Sequence, residues 1–159
     1  MIPEKYKTYF WEKVKKSPEC WEWTGAKNEK GYGRFTYGYK SQKRTVRAHR
    51  AVYTELVGEI PKGKHLDHTC HTPSCVNPDH LRPATNKQNL ENRVGSYSAT
   101  GVRNVYLTST GRPYVQVKHH GKLYKKYGFS TVQEAAEAAR QLRLQLFTHN
   151  DADRLEGEV

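Results

Sequence analysis

Residues 66–81 read LDHTCHTPSCVNPDHL, and this stretch decides the fold of the chain. It contains Cys70 and Cys75, and His80 follows the second cysteine at the same five-residue interval. Two prolines prevent a single helix or strand from running through the stretch. A loop of this length can fold back so that two sulfurs and one imidazole nitrogen face a common centre, as tetrahedral zinc requires. The stretch therefore predicts a metal site.

The fourth ligand is predicted to be Cys20, because the chain has 3 cysteines and this is the remaining one. A Cys3His site uses every thiol, whereas an odd number of cysteines cannot all pair as disulfides. The alternative is that one or two of these thiols are small buried apolar residues. Spacing and ligand number agree with zinc. The predicted structural zinc ligands are Cys20, Cys70, Cys75 and His80.

His68 is left over once these ligands are assigned, and it follows a predicted strand over residues 64–67. A rigid zinc loop would hold its imidazole in place and exposed, which suits a general base near neutral pH. The neighbouring carboxylate of Asp67 could bind a divalent cation or orient a partner. Asn89 follows in a segment with helical spacing, and its amide oxygen is a hard ligand of the kind that Mg²⁺ accepts.

The pattern of these residues resembles a known class of nucleases. The chain contains the run His68-x-Cys70-x4-Cys75-x-Asn77-Pro78-x-His80-Leu81, followed by Asn89. This run resembles the core of the His-Cys box homing endonucleases and, more broadly, the HNH nucleases that share a ββα-metal active site. The upstream segments CWEWTG (20–25), GYGRF (31–35) and AHR (48–50) look like the lead-in of phage and bacterial HNH proteins. The resemblance covers the first two thirds of the chain.

The resemblance implies a role for each residue of the pattern. His68 is the base that activates water, and Asn77 fixes the loop that carries it. Asn89 is a ligand of the catalytic Mg²⁺ or Mn²⁺ ion. Asp67 departs from the His-Cys box pattern but matches the HNH pattern, in which an acidic residue before the base is a second ligand. The catalytic ion is thus held by Asn89 alone or by Asp67 with Asn89.

Two short strands, over residues 31–37 and 43–48, are predicted to form a hairpin upstream of the base. Nucleases of this class place an arginine on such a strand to clamp the phosphate, and Arg44 and Arg47 are the candidates. Either could instead be a basic residue on a solvated strand. Basic and aromatic residues alternate along the hairpin, and we expect Arg34 to contact DNA as well.

Two helices are predicted around this hairpin. Apolar residues recur four apart from Tyr6 to Val14, which predicts an amphipathic helix over residues 4–16. His49 begins a second helix, over residues 49–57, where we expect it to pack or cap.

The composition points to a polyanionic partner. Lysine and arginine number 27 against 16 acidic residues, for a formal net charge of +11, and 11 tyrosines are interleaved with the lysines. This balance favours nucleic acid over a merely soluble basic protein. No apolar run could span a bilayer, and the first residues, MIPE, do not resemble a signal peptide. We expect a phage-encoded protein that acts in the reducing cytoplasm of the host.

Residues 95–100, GSYSAT, are small and polar and predict a linker. Strands are predicted beyond it over residues 102–107, 113–119 and 122–129. A helix with a Thr131 capping box follows. The second unit is therefore predicted to be a three-stranded antiparallel sheet packed on one helix.

This second unit resembles the Apetala/ERF-type DNA-binding domain, in which such a sheet lies in the major groove. The likeness rests on GVR at 101–103, YGFST at 127–131 and EAA at 134–136, although the strand tryptophans of that family are missing. It implies that the face opposite the helix contacts DNA, and the alternative is a small domain that braces the nuclease. The implied contact residues are Arg103, Arg112, Tyr114, Gln116, Lys118 and Lys126.

The sequence thus predicts an α+β chain with a zinc-stabilised ββα-metal nuclease core over residues 1–94. A linker (95–100), a DNA-binding domain (101–149) and a flexible tail (150–159) follow. We expect a site-specific, divalent-metal-dependent DNA endonuclease of the homing type. The alternatives are a zinc-stapled DNA-binding regulator without catalysis and a protein that binds or cleaves RNA. A monomer that nicks and a homodimer that cuts both strands both stay open.

Overall fold

The computed structural model describes residues 2–96 and 98–155, without the side chain of residue 155. The chain forms two compact units, Met1–Asn86 and Lys87–Val159. The architecture is α+β, as the sequence predicts, with small antiparallel sheets and helices. The division between the units falls earlier in the chain than the predicted linker.

The first unit is built from short strands that pair two by two. In chain order its elements are α1 (Lys7–Trp11), β1 (Val14–Lys15), β2 (Glu22–Trp23), β3 (Arg34–Tyr37), β4 (Arg44–Arg47), α2 (Ala48–Leu56), β5 (His65–His68) and β6 (Leu81–Ala84). Short 3-10 turns occupy Glu4–Tyr6, Lys40–Gln42 and Pro78–His80. The pairs β1–β2, β3–β4 and β5–β6 are all antiparallel.

The N-terminal helix is shorter than the sequence predicts. The spacing of apolar residues favoured a helix over residues 4–16, but α1 ends at Trp11 and the chain turns into β1. Val14 pairs there with Trp23, whose side chain is buried. The prediction was wrong because this tertiary pairing of a β-branched residue outweighs its helical spacing.

An aromatic cluster fills the core of the first unit. Phe10 packs against Trp23 and Phe35, with ring centroids 4.9 Å and 5.0 Å away. Gly33 lies so close to this cluster that an added Cβ would come within 2.6 Å of Trp23. The glycine is required for this close approach, which seats the predicted β3–β4 hairpin on the core.

The metal-ligand loop, residues 69–80, connects β5 and β6. The two strands pair from His65 opposite Ala84 to His68 opposite Leu81. α3 (Asn86–Glu91) follows along the chain and gives the strand–strand–helix order that the resemblance to ββα-metal nucleases implies. β6 itself was not predicted.

The second unit contains the predicted sheet and helix. β7 (Val105–Leu107), β8 (Pro113–His119) and β9 (Lys122–Lys126) form one antiparallel sheet in the order β7–β8–β9. Buried valines of β8 pack with buried alanines of α4 (Val132–Leu146). Thr131 caps α4 by accepting a hydrogen bond from the Glu134 N–H at 3.1 Å. Among the described residues, no helix has the length and apolarity needed to cross a membrane.

The predicted linker is hydrogen-bonded to the segment that follows it in the chain. The hydroxyls of Ser96 and Ser98 donate to the Val102 carbonyl at 3.0 Å and 2.9 Å. Tyr97, which also belongs to the predicted linker, lies outside the described residues. Short polar side chains thus fold this segment locally.

The segment that begins at Asn150 is not a frayed tail as far as it is described. α5 (Asp151–Leu155) contains Asp153, which is 6% exposed, and Asn150 before it is 1% exposed. Arg143 of α4 donates to both Asp153 carboxylate oxygens at 2.6 Å. The prediction was wrong because it looked for apolar side chains, whereas this segment is held by a buried ion pair. Residues 156–159 of the predicted tail lie outside the described residues.

An Asp153→Ala variant is expected to destabilise the second unit by about 3–5 kcal/mol, since it leaves the buried Arg143 cation without its partner. Denaturant unfolding of wild type and variant measures the loss. Glu137→Ala removes an exposed carboxylate from α4 and should change the free energy of unfolding little. Equal effects of the two substitutions would contradict the role given to the ion pair.

Candidate functional site: a metal centre next to a buried histidine

Cys20 lies far upstream of the metal-ligand loop in the chain. Backbone hydrogen bonds between the loop and the segment around β2 bring it close. The Trp23 N–H donates to the Ser74 carbonyl at 2.9 Å, and the Val76 N–H donates to the Trp21 carbonyl at 2.8 Å. These two bonds fix the segment after Cys20 against the loop. The CWEW motif therefore supplies both a ligand and the strand that positions it.

The four predicted zinc ligands lie together. The ligand atoms of Cys20, Cys70, Cys75 and His80 are all within 4.8 Å of one another. The Cys20 and Cys75 sulfurs each lie 3.6 Å from Nδ1 of His80. A tetrahedral zinc ion, with Zn–S of about 2.3 Å and Zn–N of about 2.0–2.1 Å, would separate sulfur and nitrogen by about 3.6 Å. The donor set and its spacing fit zinc.

The three thiols of the cluster perturb one another. A hydrogen bond from Cys75 lowers the pKa of the Cys70 thiol to about 4, and the same contact raises the pKa of Cys75. Burial raises the pKa of Cys20. A divalent cation would stabilise all three groups as thiolates, which is the form that binds zinc.

Asn77 shapes the end of the metal-ligand loop. Its Oδ1 accepts a hydrogen bond from the Asp79 N–H at 3.1 Å and caps the Pro78–His80 turn. Its own N–H donates to the Cys75 sulfur at 3.4 Å. One side chain and its backbone thus hold two of the zinc ligands in place.

His68 is tied to the same loop. Its Nε2 lies 3.0 Å from the Cys75 carbonyl oxygen. A carbonyl only accepts, so Nε2 carries the proton and the lone pair of the neutral imidazole lies on Nδ1. His68 is 7% exposed, so the expectation of an exposed imidazole was wrong. Burial lowers its pKa, which keeps the ring neutral at physiological pH.

Two aromatic side chains from other elements surround His68. The His49 ring of α2 lies 5.0 Å from the His68 ring in an edge-on arrangement, and the Tyr32 ring lies 5.7 Å away. Burial holds the pKa of His49 down to about 3, so this ring is neutral. These two ring contacts restrain the orientation of His68, and they come from two separate segments of the chain. Within the described part of the chain, His49 Nδ1 is buried without a hydrogen-bond partner.

Asp67 is buried and paired with an arginine. It lies opposite Arg82 in the β5–β6 register. The Arg82 Nε and a terminal guanidinium nitrogen donate to its Oδ2 at 3.1 Å and 3.0 Å. The carboxylate next to the candidate base is therefore held in one orientation by charge-assisted hydrogen bonds.

The hairpin separates the two arginine candidates. Arg47 pairs with Arg34 in the β3–β4 register, and its guanidinium lies 5.7 Å above the Tyr32 ring that contacts His68. Arg44 is three residues away on the same strand, so its side chain leaves the strand on the opposite face. Of the two candidates, Arg47 is the one that lies over the Tyr32 ring, which in turn contacts His68.

The exposed side chains of Arg34 and Arg47 face each other across the hairpin. Like charges directly opposite each other in a sheet are destabilising. A bound phosphate would relieve that repulsion, so this pair favours a polyanion on the hairpin.

Asn89 lies half-buried on α3, which belongs mostly to the second unit. Arg103 holds the end of this helix, because its guanidinium donates to the carbonyls of Leu90, Glu91 and Arg93. Burial is the main reason why the pKa of Arg103 falls to about 10. Arg103 was predicted to contact DNA, but its guanidinium is already used to cap α3.

The sheet of the second unit displays a row of tyrosines. Tyr114 of β8 stacks on Tyr127 with ring centroids 5.3 Å apart and contacts Tyr106 at 5.7 Å. Gln116 and Lys118 continue this outward face along β8, and Arg112 is exposed just before the strand.

The register corrects the lysine that was assigned to this face. Lys126 lies opposite Val115, a buried residue of the helix-facing side, whereas Lys125 lies opposite Gln116. Lys125 therefore shares the outward face and Lys126 does not. The alternation along β9 was predicted one residue out of phase.

Several residues at the site could not be found by spacing. Tyr32 and His49 reach His68 from other elements, and Arg82 reaches Asp67 through a strand that the sequence analysis did not predict. In the second unit, spacing also gave no sign that Glu91, two residues after Asn89, is a buried carboxylate on α3. In the sequence, the only hint of these residues was that polar side chains are abundant in the segments that also contain candidate ligands.

Comparison with known proteins gives a family match in the middle of the chain. Residues 46–91 match the family described as HNH endonuclease. This segment contains the candidate base, both candidate ligands of the catalytic ion and three of the four zinc ligands. The match supports an HNH-type nuclease core.

Phage proteins are similar to part of the chain. Protein 7.7 of Escherichia phage T7 is 42% identical over 76 residues, which are 48% of this chain and 55% of that protein. Protein 2.8 of the same phage is 38% identical over 78 residues, 49% of this chain and 51% of that protein. The chain spans about half the length of the curated relatives it matches. No solved structure gives a significant match.

Proposed function

We propose that this protein is a site-specific, divalent-metal-dependent DNA endonuclease of the homing type. The observation that carries the proposal is the bond from His68 Nε2 to the Cys75 carbonyl, inside a four-ligand metal cluster. That bond places the imidazole lone pair on Nδ1. A general base for water needs a neutral imidazole whose other nitrogen is fixed in this way.

Hydrolysis of a phosphodiester needs a deprotonated water on one side of phosphorus and stabilised charge on the other. His68 takes the proton of the attacking water, and the new P–O bond forms as the bond to the leaving oxygen breaks. We assign Asn89, alone or together with Asp67, as a ligand of the catalytic ion, and both residues lie in the matched segment. When bound, Mg²⁺ or Mn²⁺ supplies Lewis-acid stabilisation of the leaving oxygen and the phosphate. Arg82 orients the Asp67 carboxylate for this role.

The zinc ion is structural in this proposal. It would be held by three thiolates and one imidazole, a closed set that leaves no position for water. Its effect on the reaction passes through the Cys75 carbonyl and the Asn77 cap, which hold His68 and the loop. Loss of zinc is therefore expected to release the base.

Arg47 is proposed to clamp the scissile phosphate, and Arg47→Ala should lower the single-turnover cleavage rate by roughly 10- to 100-fold, because one donor to the developing charge is lost. Arg44→Ala is the matched control, since it removes the same charge from the opposite face of the strand. We expect Arg44→Ala to affect DNA binding at most. The assignment fails if the two variants cut equally well.

The outward face of the second unit is proposed to find the DNA site, in the manner of the Apetala/ERF-type domain. The tyrosine row (Tyr106, Tyr114 and Tyr127) offers flat contact area, and a basic flank provides phosphate contacts. The proposed contacts from this sheet are Arg112, Tyr114, Gln116, Lys118 and Lys125.

The assay that tests this function uses the purified protein and supercoiled plasmid, with magnesium or with EDTA. We expect magnesium-dependent conversion to nicked or linear DNA. Nicked product alone would fit one active site on a monomer, and direct linearisation would fit a homodimer. Salt-sensitive binding without cleavage would favour the zinc-stapled regulator, and preferential competition by RNA would overturn the assignment of duplex DNA.

A further inference from the structure

The second unit contains a buried carboxylate that the proposed reaction does not use. Glu91 is the last residue of α3, two positions after Asn89, and is 4% exposed. Burying a charged carboxylate is costly unless it is paired and hydrogen-bonded. Its partners therefore show what the buried charge holds together.

Glu91 contacts a lysine of its own helix and two other parts of the second unit. Lys87 of α3 forms an ion pair with its Oε1. His119, at the end of β8, places Nδ1 3.3 Å from the same oxygen. Thr148, just after α4, donates to Oε2 through both its N–H and its hydroxyl, each at 3.2 Å. One carboxylate thus connects α3 to the sheet and to the segment between α4 and α5.

Two further contacts hold the same end of α3. Arg103 donates to the carbonyls of Leu90 and Glu91, each at 3.0 Å. Asn92 accepts a hydrogen bond from the Asp151 N–H at 3.0 Å. The end of the helix is therefore attached to the segment before β7 and to the last described helix of the second unit.

α3 has only 6 residues. Isolated helices shorter than about 12–15 residues are marginal in water, so tertiary contacts must supply the stability and orientation of α3. Apolar packing contributes little, because Leu90 is 52% exposed. The polar contacts at Glu91 and Arg103 are therefore the main restraints on the direction in which Asn89 points.

We propose that Glu91 is a positioning residue, which anchors α3 to the rest of the second unit so that Asn89 is preorganised to bind the catalytic ion. The inference rests on the proposed function, because it needs Asn89 to be a metal ligand. It adds a second task for the C-terminal unit, beyond contact with DNA. The helix that carries a metal ligand would then be stabilised by the unit that reads the DNA.

A Glu91→Gln variant tests this inference, because it keeps the size of the side chain and removes its charge. We expect the magnesium concentration for half-maximal cleavage to rise by about 10- to 100-fold, as is typical when a partner that orients a ligand is lost. Amide hydrogens of α3 should exchange faster, while zinc content and DNA binding stay at wild-type values. Glu137→Gln removes an exposed carboxylate of α4 and should change neither the magnesium requirement nor the exchange.

A milder variant distinguishes a local effect on α3 from general unfolding of the second unit. Thr148→Val removes only the hydroxyl that donates to Glu91 and should raise the magnesium requirement less than Glu91→Gln does. An unchanged magnesium requirement and unchanged α3 exchange in Glu91→Gln overturn the inference while wild-type cleavage upholds the nuclease. If the wild type itself shows no metal-dependent cleavage, the proposed function fails, and this inference fails with it.

Discussion

A His68→Ala variant is expected to bind the same DNA and keep its zinc while cutting about 10²- to 10⁴-fold more slowly, the usual contribution of a positioned general base. The reason is that Nδ1 of His68 is the proposed acceptor of the water proton, whereas the four zinc ligands stay in place. Single-turnover cleavage with enzyme in excess over a labelled duplex measures the effect without interference from product release.

Two further variants separate the chemistry of His68 from its structural bond. His68→Gln keeps an amide N–H that can donate to the Cys75 carbonyl but has no group that takes up a proton, so it should be as slow as His68→Ala. His65→Ala changes an exposed histidine on the same strand and should cut at the wild-type rate. Near wild-type cutting by His68→Gln, or joint loss of zinc and DNA binding in both His68 variants, would remove His68 as the base.

His80→Ala is expected to have the largest effect on stability. In small zinc-folded peptides the metal contributes about 10–16 kcal/mol, which is comparable to the total stability of an ordinary domain, about 5–15 kcal/mol. Removing the imidazole leaves three thiols without a complete tetrahedral set. We therefore expect zinc content to fall from one ion per chain towards zero and the first unit to unfold.

Metal analysis of the purified protein, together with thermal unfolding, measures this effect. His65→Ala again serves as the control, since it removes an imidazole from β5 that is not a ligand. The aromatic core around Phe10, Trp23 and Phe35 is small and cannot replace the metal. A His80→Ala protein that is folded without metal would contradict a structural zinc site.

The sequence predicts the parts of the site that depend on local spacing. Cys70, Cys75 and His80 recur at equal intervals in one loop, and the structure brings them together with Cys20. Zinc binding itself stays a prediction. The strand–strand–helix order around the loop agrees with the ββα-metal core, although β6 contains a proline and was not predicted as a strand.

Contacts between distant elements were beyond the reach of the sequence. Tyr32 and His49 meet His68 only because β3 and α2 are seated on the aromatic core. Arg82 reaches Asp67 only through the β5–β6 register. Spacing also overestimated α1, because the chain after Trp11 pairs as a strand with β2.

The exposed face of the C-terminal sheet shows how sensitive such predictions are to phase. The order of three strands and a helix agrees with the structure, although β7 starts at Val105 instead of residue 102 and β9 ends at Lys126 instead of residue 129. The side chains of β9 were assigned one residue out of register. The error exchanged Lys125 for Lys126. Arg103 was misassigned for a different reason, since composition alone cannot distinguish a cation that caps a helix from one that contacts DNA.

The central claim is that the metal-ligand loop presents His68 as a base with its lone pair on Nδ1. A long-range proton–nitrogen NMR spectrum of the zinc-loaded protein at neutral pH reports the tautomer of each histidine directly, and His68→Ala identifies the His68 signals. We expect His68 to be neutral, with a protonated Nε2 and an unprotonated Nδ1. A proton on Nδ1 would contradict the claim.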